Sequence, residues 1–275
     1  MSLATASRSE LTKQLTTSIW WILAIALVAY VAFTASVLTF ALAASSTGAL
    51  PAEGQAPQMP EEALPALIYS IATAVGYVFP LLVGTLMVTT EFRHKTLTPT
   101  FLATPRRGVA LSAKLVVGIA LGAFYAVLGV ASSVGPGAAI LLAFGLDPQL
   151  ASSDTWALIG RMLIAFVLWV LVGIGVGAVV RNQVVAIVIV LVFTQFLEPV
   201  GRFVAAFVEG LSGFTAYLPG AASDALVGAS VFTMSMGGGA EPTTLEWWAG
   251  GLVLLAYALV LLIIGHFTSW RRDVT

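Results

Sequence analysis

Cysteine is absent from the 275-residue chain, and histidine occurs only as His94 and His266. Disulfides and thiolate metal sites are thereby excluded, and two histidines so far apart in sequence are a poor start for a metal centre. Charge is the other scarcity. Asp, Glu, Lys and Arg make up 9% of the chain, whereas a soluble domain carries about 25%. So few charges cannot coat a water-exposed globule of this size. Disordered segments, coiled coils and nucleic-acid binders need more charge still. With 59% hydrophobic residues and a mean hydropathy of +0.99, the composition is that of an integral membrane protein.

Several catalytic signatures are also missing. The chain has no G-x-x-x-x-G-K-[ST] phosphate loop, no H-E-x-x-H and no G-x-S-x-G elbow. An intramembrane protease needs paired aspartates or a Ser/His pair inside its spans, and the apolar runs offer neither. The chain reads as a non-enzymatic transport or scaffold subunit, driven by a gradient or by another protein.

A membrane-crossing helix needs about 20 apolar residues. Runs of that kind are expected at 19–44, 64–90, 114–144, 156–180, 184–208 and 247–268. The first could be mistaken for a signal peptide ending at Ala41-Leu42-Ala43, but its apolar run is too long for a signal core. Gly135-Pro136-Gly137 interrupts the third run, and Glu198-Pro199 interrupts the fifth. The stretch 198–240 is apolar but broken by Pro219 and Gly237-Gly238-Gly239. Such backbone at membrane depth must be buried in protein or line water. Short re-entrant helices are expected there.

Basic residues sort by side. All except Arg161 and Arg202 lie before span one, between spans two and three, between four and five, or after six. The remaining connections are acidic. Because Lys and Arg accumulate in cytoplasmic loops, six spans with both termini cytoplasmic are expected. The segment Leu3–Thr17 is expected to be an interfacial helix, with Leu3, Leu11 and Leu15 able to share a face and Arg8 and Lys13 near headgroups.

The connection 91–107 is too apolar for a free loop and too charged for a span. Phe92, Leu97, Phe101 and Leu102 can form an apolar stripe, and Glu91 and Lys95 stand four apart, the stabilising order on a helix. Docking onto a cytoplasmic partner and lying on anionic headgroups both fit this pattern. Thr89-Thr90-Glu91-Phe92-Arg93-His94-Lys95-Thr96-Leu97-Thr98-Pro99-Thr100-Phe101-Leu102-Ala103-Thr104-Pro105-Arg106-Arg107 resembles the cytoplasmic connection of six-span permeases of ABC exporters. Two further pieces are similar to that family: Gly173-Ile174-Gly175-Val176-Gly177-Ala178-Val179-Val180-Arg181-Asn182-Gln183 and Leu218-Pro219-Gly220-Ala221-Ala222-Ser223-Asp224-Ala225-Leu226.

The resemblance implies an all-α membrane protein, a single permease domain over 1–275, in a bacterial plasma membrane. It implies a second permease subunit, as homodimer or heterodimer, and an ATP-binding cassette subunit that carries the ATP and Mg, with no cofactor on this chain. A coupling helix would fall at Glu91 to Thr100. Glu91, Arg93, Lys95 and Thr96 would be its working polar residues, with Phe92 and Leu97 as anchors. The cargo would be amphipathic: a drug, a lipid-linked molecule or a peptide. A gradient-driven transporter or channel is the alternative.

Within the spans, Arg161 either snorkels to the outer headgroups beside Trp156 or pairs with an acid such as Glu198. Glu198 and Arg202 are four apart and could pair across Pro199 as part of an outer gate. Thr194 and Gln195 could line a pathway or hydrogen-bond a neighbouring helix. Gly173, Gly175 and Gly177 suit close helix packing, within the subunit or between subunits.

Overall fold

A computed structural model of the chain describes residues 2–48, 60–96, 107–205, 207–208, 212–230 and 245–270. The protein is all-helical, with no strand among the described residues. Six helices are long and apolar enough to cross a membrane: Ile19–Ser46, Glu61–Arg93, Gly108–Ala143, Ser153–Val179, Gln183–Ala205 and Trp247–Thr268. They are called spans one to six below.

A short helix, α1 (Leu3–Thr16), precedes span one, which is α2 (Ile19–Ser46). The Ser2 hydroxyl accepts from the Thr5 N–H and caps the start of α1. Span two is two pieces, α3 (Leu64–Gly76) and α4 (Val78–Arg93), meeting at Tyr77. Pro65 stands in the first turn of α3, where its missing N–H costs no hydrogen bond.

Span three is α5 (Arg107–Ala143), which runs unbroken through Pro136. The interruption expected at Gly135-Pro136-Gly137 does not occur. Proline is tolerated in such helices where neighbours re-satisfy the freed backbone groups and pack against the bend. Gly137 lies tight against span two: a Cβ there would sit 2.7 Å from Ile68 Cγ2. The Ser133 hydroxyl, nearby, donates to the Tyr69 carbonyl. At 1.5 Å per residue α5 is roughly 55 Å long, well beyond the ~30 Å hydrocarbon thickness. It therefore starts seven residues earlier than the apolar run suggested, and Arg107 to Lys114 form an extra helical stretch.

Span four is α6 (Ser153–Val179), capped by the Ser152 hydroxyl on the Asp154 N–H. Span five is α7 (Gln183–Val192), a π-helical turn (Phe193–Leu197) and α8 (Glu198–Ala205). Asn182 caps α7 through the N–H groups of Val184 and Val185. Two short helices follow, α9 (Ser212–Thr215) and α10 (Pro219–Val227). Span six is α11 (Trp247–Gly265), ending in a π turn at His266–Trp270.

Spans two and four form the centre of the bundle. Their backbones approach closely because glycines remove the side chains between them. A Cβ on Gly84 would lie 2.2 Å from the Val170 carbonyl oxygen, and one on Gly173 equally close to that of Leu81. Gly177 meets the Thr85 carbonyl in the same seam, whereas Gly175 turns to span six and meets Leu261. All three glycines of that stretch thus pack within this chain. Trp169, Phe166, Tyr69 and Tyr125 fill the interior and are buried. Spans one, five and six leave most of their apolar surface outward, as Phe33, Val184 and Ile263 show.

Candidate functional site

Two polar clusters are buried in this apolar bundle. The first gathers four charges from three elements. Lys114 Nζ, in the extra stretch of α5, is fully buried and lies 2.6 Å from Glu10 Oε1 and 3.0 Å from Glu91 Oε2. Lys13 Nζ, on the half-open side, lies 3.3 Å from Glu10 Oε2 and 3.0 Å from Glu91 Oε1. Acid and base alternate, and the four formal charges cancel. Gln14 Nε2 also donates to Glu10 Oε1. The 3.0 Å contact of Glu91 Oε2 with Lys114 is an ion pair without hydrogen-bond alignment. Burial alone would raise the Glu10 carboxyl, but Lys114 and then Lys13 outweigh it and hold it below 4.5. For Lys13, burial pulls down, yet Glu91 and Glu10 together raise it above 10.5.

This cluster fixes α1. The helix buries Ala6 and Glu10 and leaves Leu3, Leu11 and Leu15 exposed. A glutamate at 4% exposure is tolerable only because two ammonium groups face it.

The same geometry revises the segment around Glu91. A helix beginning at Glu91 was expected; instead Glu91, Phe92 and Arg93 form the last turn of α4. His94 closes that helix, and Lys95 turns left-handed at φ 55°. The Thr96 N–H then donates to the Glu91 carbonyl and the Lys95 N–H to that of Phe92, a Schellman ending with Lys in place of the usual glycine. Glu91 therefore faces Lys13 and Lys114 and not Lys95, which is exposed. Phe92 packs against the core, and Arg93 Nη1 donates to Gln183 Oε1 at the start of span five. Leu97 and the rest of the expected coupling helix to Thr100 lie outside the described residues.

The second cluster surrounds the break in span five. The Glu198 N–H reaches back five residues to the Phe193 carbonyl, which makes the turn π-helical. The next bond of that kind would need an N–H from Pro199, which has none. The carbonyl it would have paired, that of Thr194, accepts the Tyr77 hydroxyl of span two at 3.0 Å. The Thr194 hydroxyl bonds the Val190 carbonyl, and Gln195 Nε2 lies 3.4 Å from that hydroxyl. Proline thus frees one carbonyl, and the tyrosine at the joint of span two takes it.

Glu198 projects to the start of α10. Its Oε1 accepts the Ala221 N–H at 3.1 Å, in the first turn, where helix N–H groups lack partners. Gly220 lies close against it, and a Cβ there would sit 2.5 Å from that oxygen, so the carboxylate would have to shift. Arg202 bonds Asp224 at 2.7 Å, and Ser230 donates to the same Asp224 oxygen. The expected Glu198–Arg202 pair is replaced because α10 brings a second acid within closer reach of the guanidinium. Arg161 is elsewhere: its Nε donates to the Ala157 carbonyl, and its guanidinium lies against Gly228. It forms no ion pair with Glu198 among the described residues.

A cavity of about 260 Å³ opens beside this cluster, lined among others by Tyr30, Thr73, Tyr77, Gln195, Glu198 and Arg202. A second, more apolar cavity of about 330 Å³ lies at the elbow of α1 and α2, bordered by Lys13, Trp20, Met87, Glu91 and His94.

Sequence reasoning singled out Glu91, Glu198 and Arg202 but missed Lys114, which pairs with Glu91, Asp224, which pairs with Arg202, and Glu10, which shares both lysines with Glu91. A lysine followed by a long apolar run was the available signal for Lys114. No protein-family model matches the chain, and no curated protein sequence matches it significantly.

Proposed function

We propose that the chain is the membrane-spanning permease subunit of an ATP-driven exporter, acting with a second permease subunit and a separate ATP-binding cassette subunit. One observation carries this reading. Glu91, where span two ends and the cytoplasmic connection begins, is locked by ion pairs to α1 and to the start of span three. A push delivered at the connection would pass to three elements as one body. The Arg93–Gln183 bond extends the same body to span five.

In this reading ATP and Mg bind the cassette subunit, and this chain forms the path. Two such permease chains face each other through the outward apolar surfaces. The charge sidedness of the loops supports a bacterial plasma-membrane protein with both termini in the cytoplasm and the Glu198 cluster toward the outside. The sparsely charged interior suits an amphipathic cargo such as a drug, a lipid-linked molecule or a peptide.

Co-purification from the native host in mild detergent tests the proposal, with ATPase activity assayed in each eluate. A cassette protein should accompany the wild-type chain. Glu91→Gln should weaken the stimulation of ATPase by cargo while the partner is retained. Absence of any ATPase partner would sink the proposal. A gradient-driven transporter is the second reading, favoured by the buried Glu198 inside span five. In that case a protonophore would stop transport with ATP still present.

A further inference from the structure

The cavity beside the span-five break has an unbalanced wall. Glu198 is 3% exposed, and while its Oε1 holds the Ala221 N–H, its Oε2 is buried with no hydrogen-bond partner. Arg202, the one basic residue among the described residues lining the cavity, bonds Asp224 at 2.7 Å. Among the described lining residues, two acids stand against one base. An anionic occupant is disfavoured on that count.

The other walls narrow the occupant further. Tyr30 of span one and Tyr77 of span two border the same space. Tyr77 has Trp169 against its ring at a centroid distance of 4.5 Å, which keeps the phenol rigid. Tyr30 is 45% exposed, so its ring stands where the cavity meets the outward face of the bundle. Rings beside a carboxylate are the setting in which an organic ammonium is held by charge and by its contact with the aromatic faces. Ca2+ and Mg2+ need six or more oxygen ligands, and no group of three metal-capable acidic, His or Cys side chains occurs among the described residues.

From these walls we infer that the cavity binds the positively charged amine head of a small organic or amphipathic molecule, with Glu198 as counter-ion and Tyr30 and Tyr77 as its aromatic walls. The apolar remainder of such a molecule leaves past Tyr30 toward the lipid. As a statement about cargo, this rests on the export reading. As a binding site, it stands on the purified chain alone.

The test uses the full chain in nanodiscs of zwitterionic phosphatidylcholine, without ATP or an ATPase subunit. The probe is benzyltrimethylammonium, and its uncharged isostere neopentylbenzene is the control, both followed by ligand-detected NMR and calorimetry. Wild type should bind the ammonium in preference to the isostere. Glu198→Gln keeps an acceptor for the Ala221 N–H and should weaken ammonium binding at least about tenfold. Tyr30→Leu, on the open side, should weaken it about threefold. Equal binding of the isostere, or unchanged affinity in Glu198→Gln, overturns the inference. Should Glu198→Gln fail to give a monodisperse protein, Tyr30→Leu decides, and wild-type affinity in that variant overturns it as well. Since no nucleotide is present, loss of this site leaves the ATPase co-purification result untouched, and the two failures are distinguishable.

Discussion

Lys114 is a costly side chain to place, a fully buried ammonium in a chain with few charges. Its value lies in its partners, so removing it alone is worse than removing the whole set. Lys114→Met should lower stability by about 3–5 kcal/mol, because Glu10 and Glu91 are left buried with Lys13 as their remaining counter-charge. The thermal unfolding midpoint in detergent is the measurement. The triple variant Glu10→Gln, Glu91→Gln, Lys114→Met should recover much of the loss; equal damage in both would show that the charges are not coupled. A contrast between glycines is equally direct. Gly84→Ala drives a methyl into the Val170 backbone and should cost about 1–3 kcal/mol or more, since backbone cannot yield as a side chain does. Gly160→Ala meets open space in mid-helix and should be neutral or gain up to about 1 kcal/mol.

Among the elements, α1 depends most on charge. The share of its docking that comes from Glu10 is complete above the ordinary carboxyl value of 4.5 and is lost as the pH falls through the lowered folded value. The share from Lys13 is complete below 10.5 and is lost as the pH rises through the raised folded value. The unfolding midpoint should therefore hold a plateau between these limits and fall on either side. Glu10→Gln should flatten the acid limb, and an acid limb unchanged in that variant would remove Glu10 from the account. Span five shows how far local rules reach. Glu198-Pro199 announces a break from sequence, since proline removes an N–H. That the break is a π turn, and that the freed Thr194 carbonyl goes to Tyr77, could not be read, because Tyr77 is over a hundred residues away.

Taken as a whole molecule, the chain was legible wherever one physical cause dominates. The six spans follow from long apolar runs, and the glycine seam between spans two and four follows from closely spaced small residues. Pairings decided by three-dimensional reach were not legible. Arg202 had Glu198 one turn away yet bonds Asp224, and Glu91 had Lys95 yet faces Lys13 and Lys114. The helix likewise continues through Pro136, where Gly137 packs against span two.

The sidedness of the molecule is open to a direct test that its composition makes easy. With no native cysteine, a single introduced thiol is the only target for a maleimide. Arg8 in α1 and Ala151 between spans three and four are both exposed, so either position accepts a label without disturbing packing. Because Lys and Arg are retained in the cytoplasm, the loop holding Ala151 should face outward and α1 inward. In intact cells a membrane-impermeant maleimide should label Ala151→Cys at once and Arg8→Cys only after permeabilisation. The reverse pattern would put the Glu198 cluster on the cytoplasmic side, where a cargo amine would meet it on entry and not on exit. Labelling of both from outside would mean that an even number of crossings separates the two positions, contrary to the three spans between them.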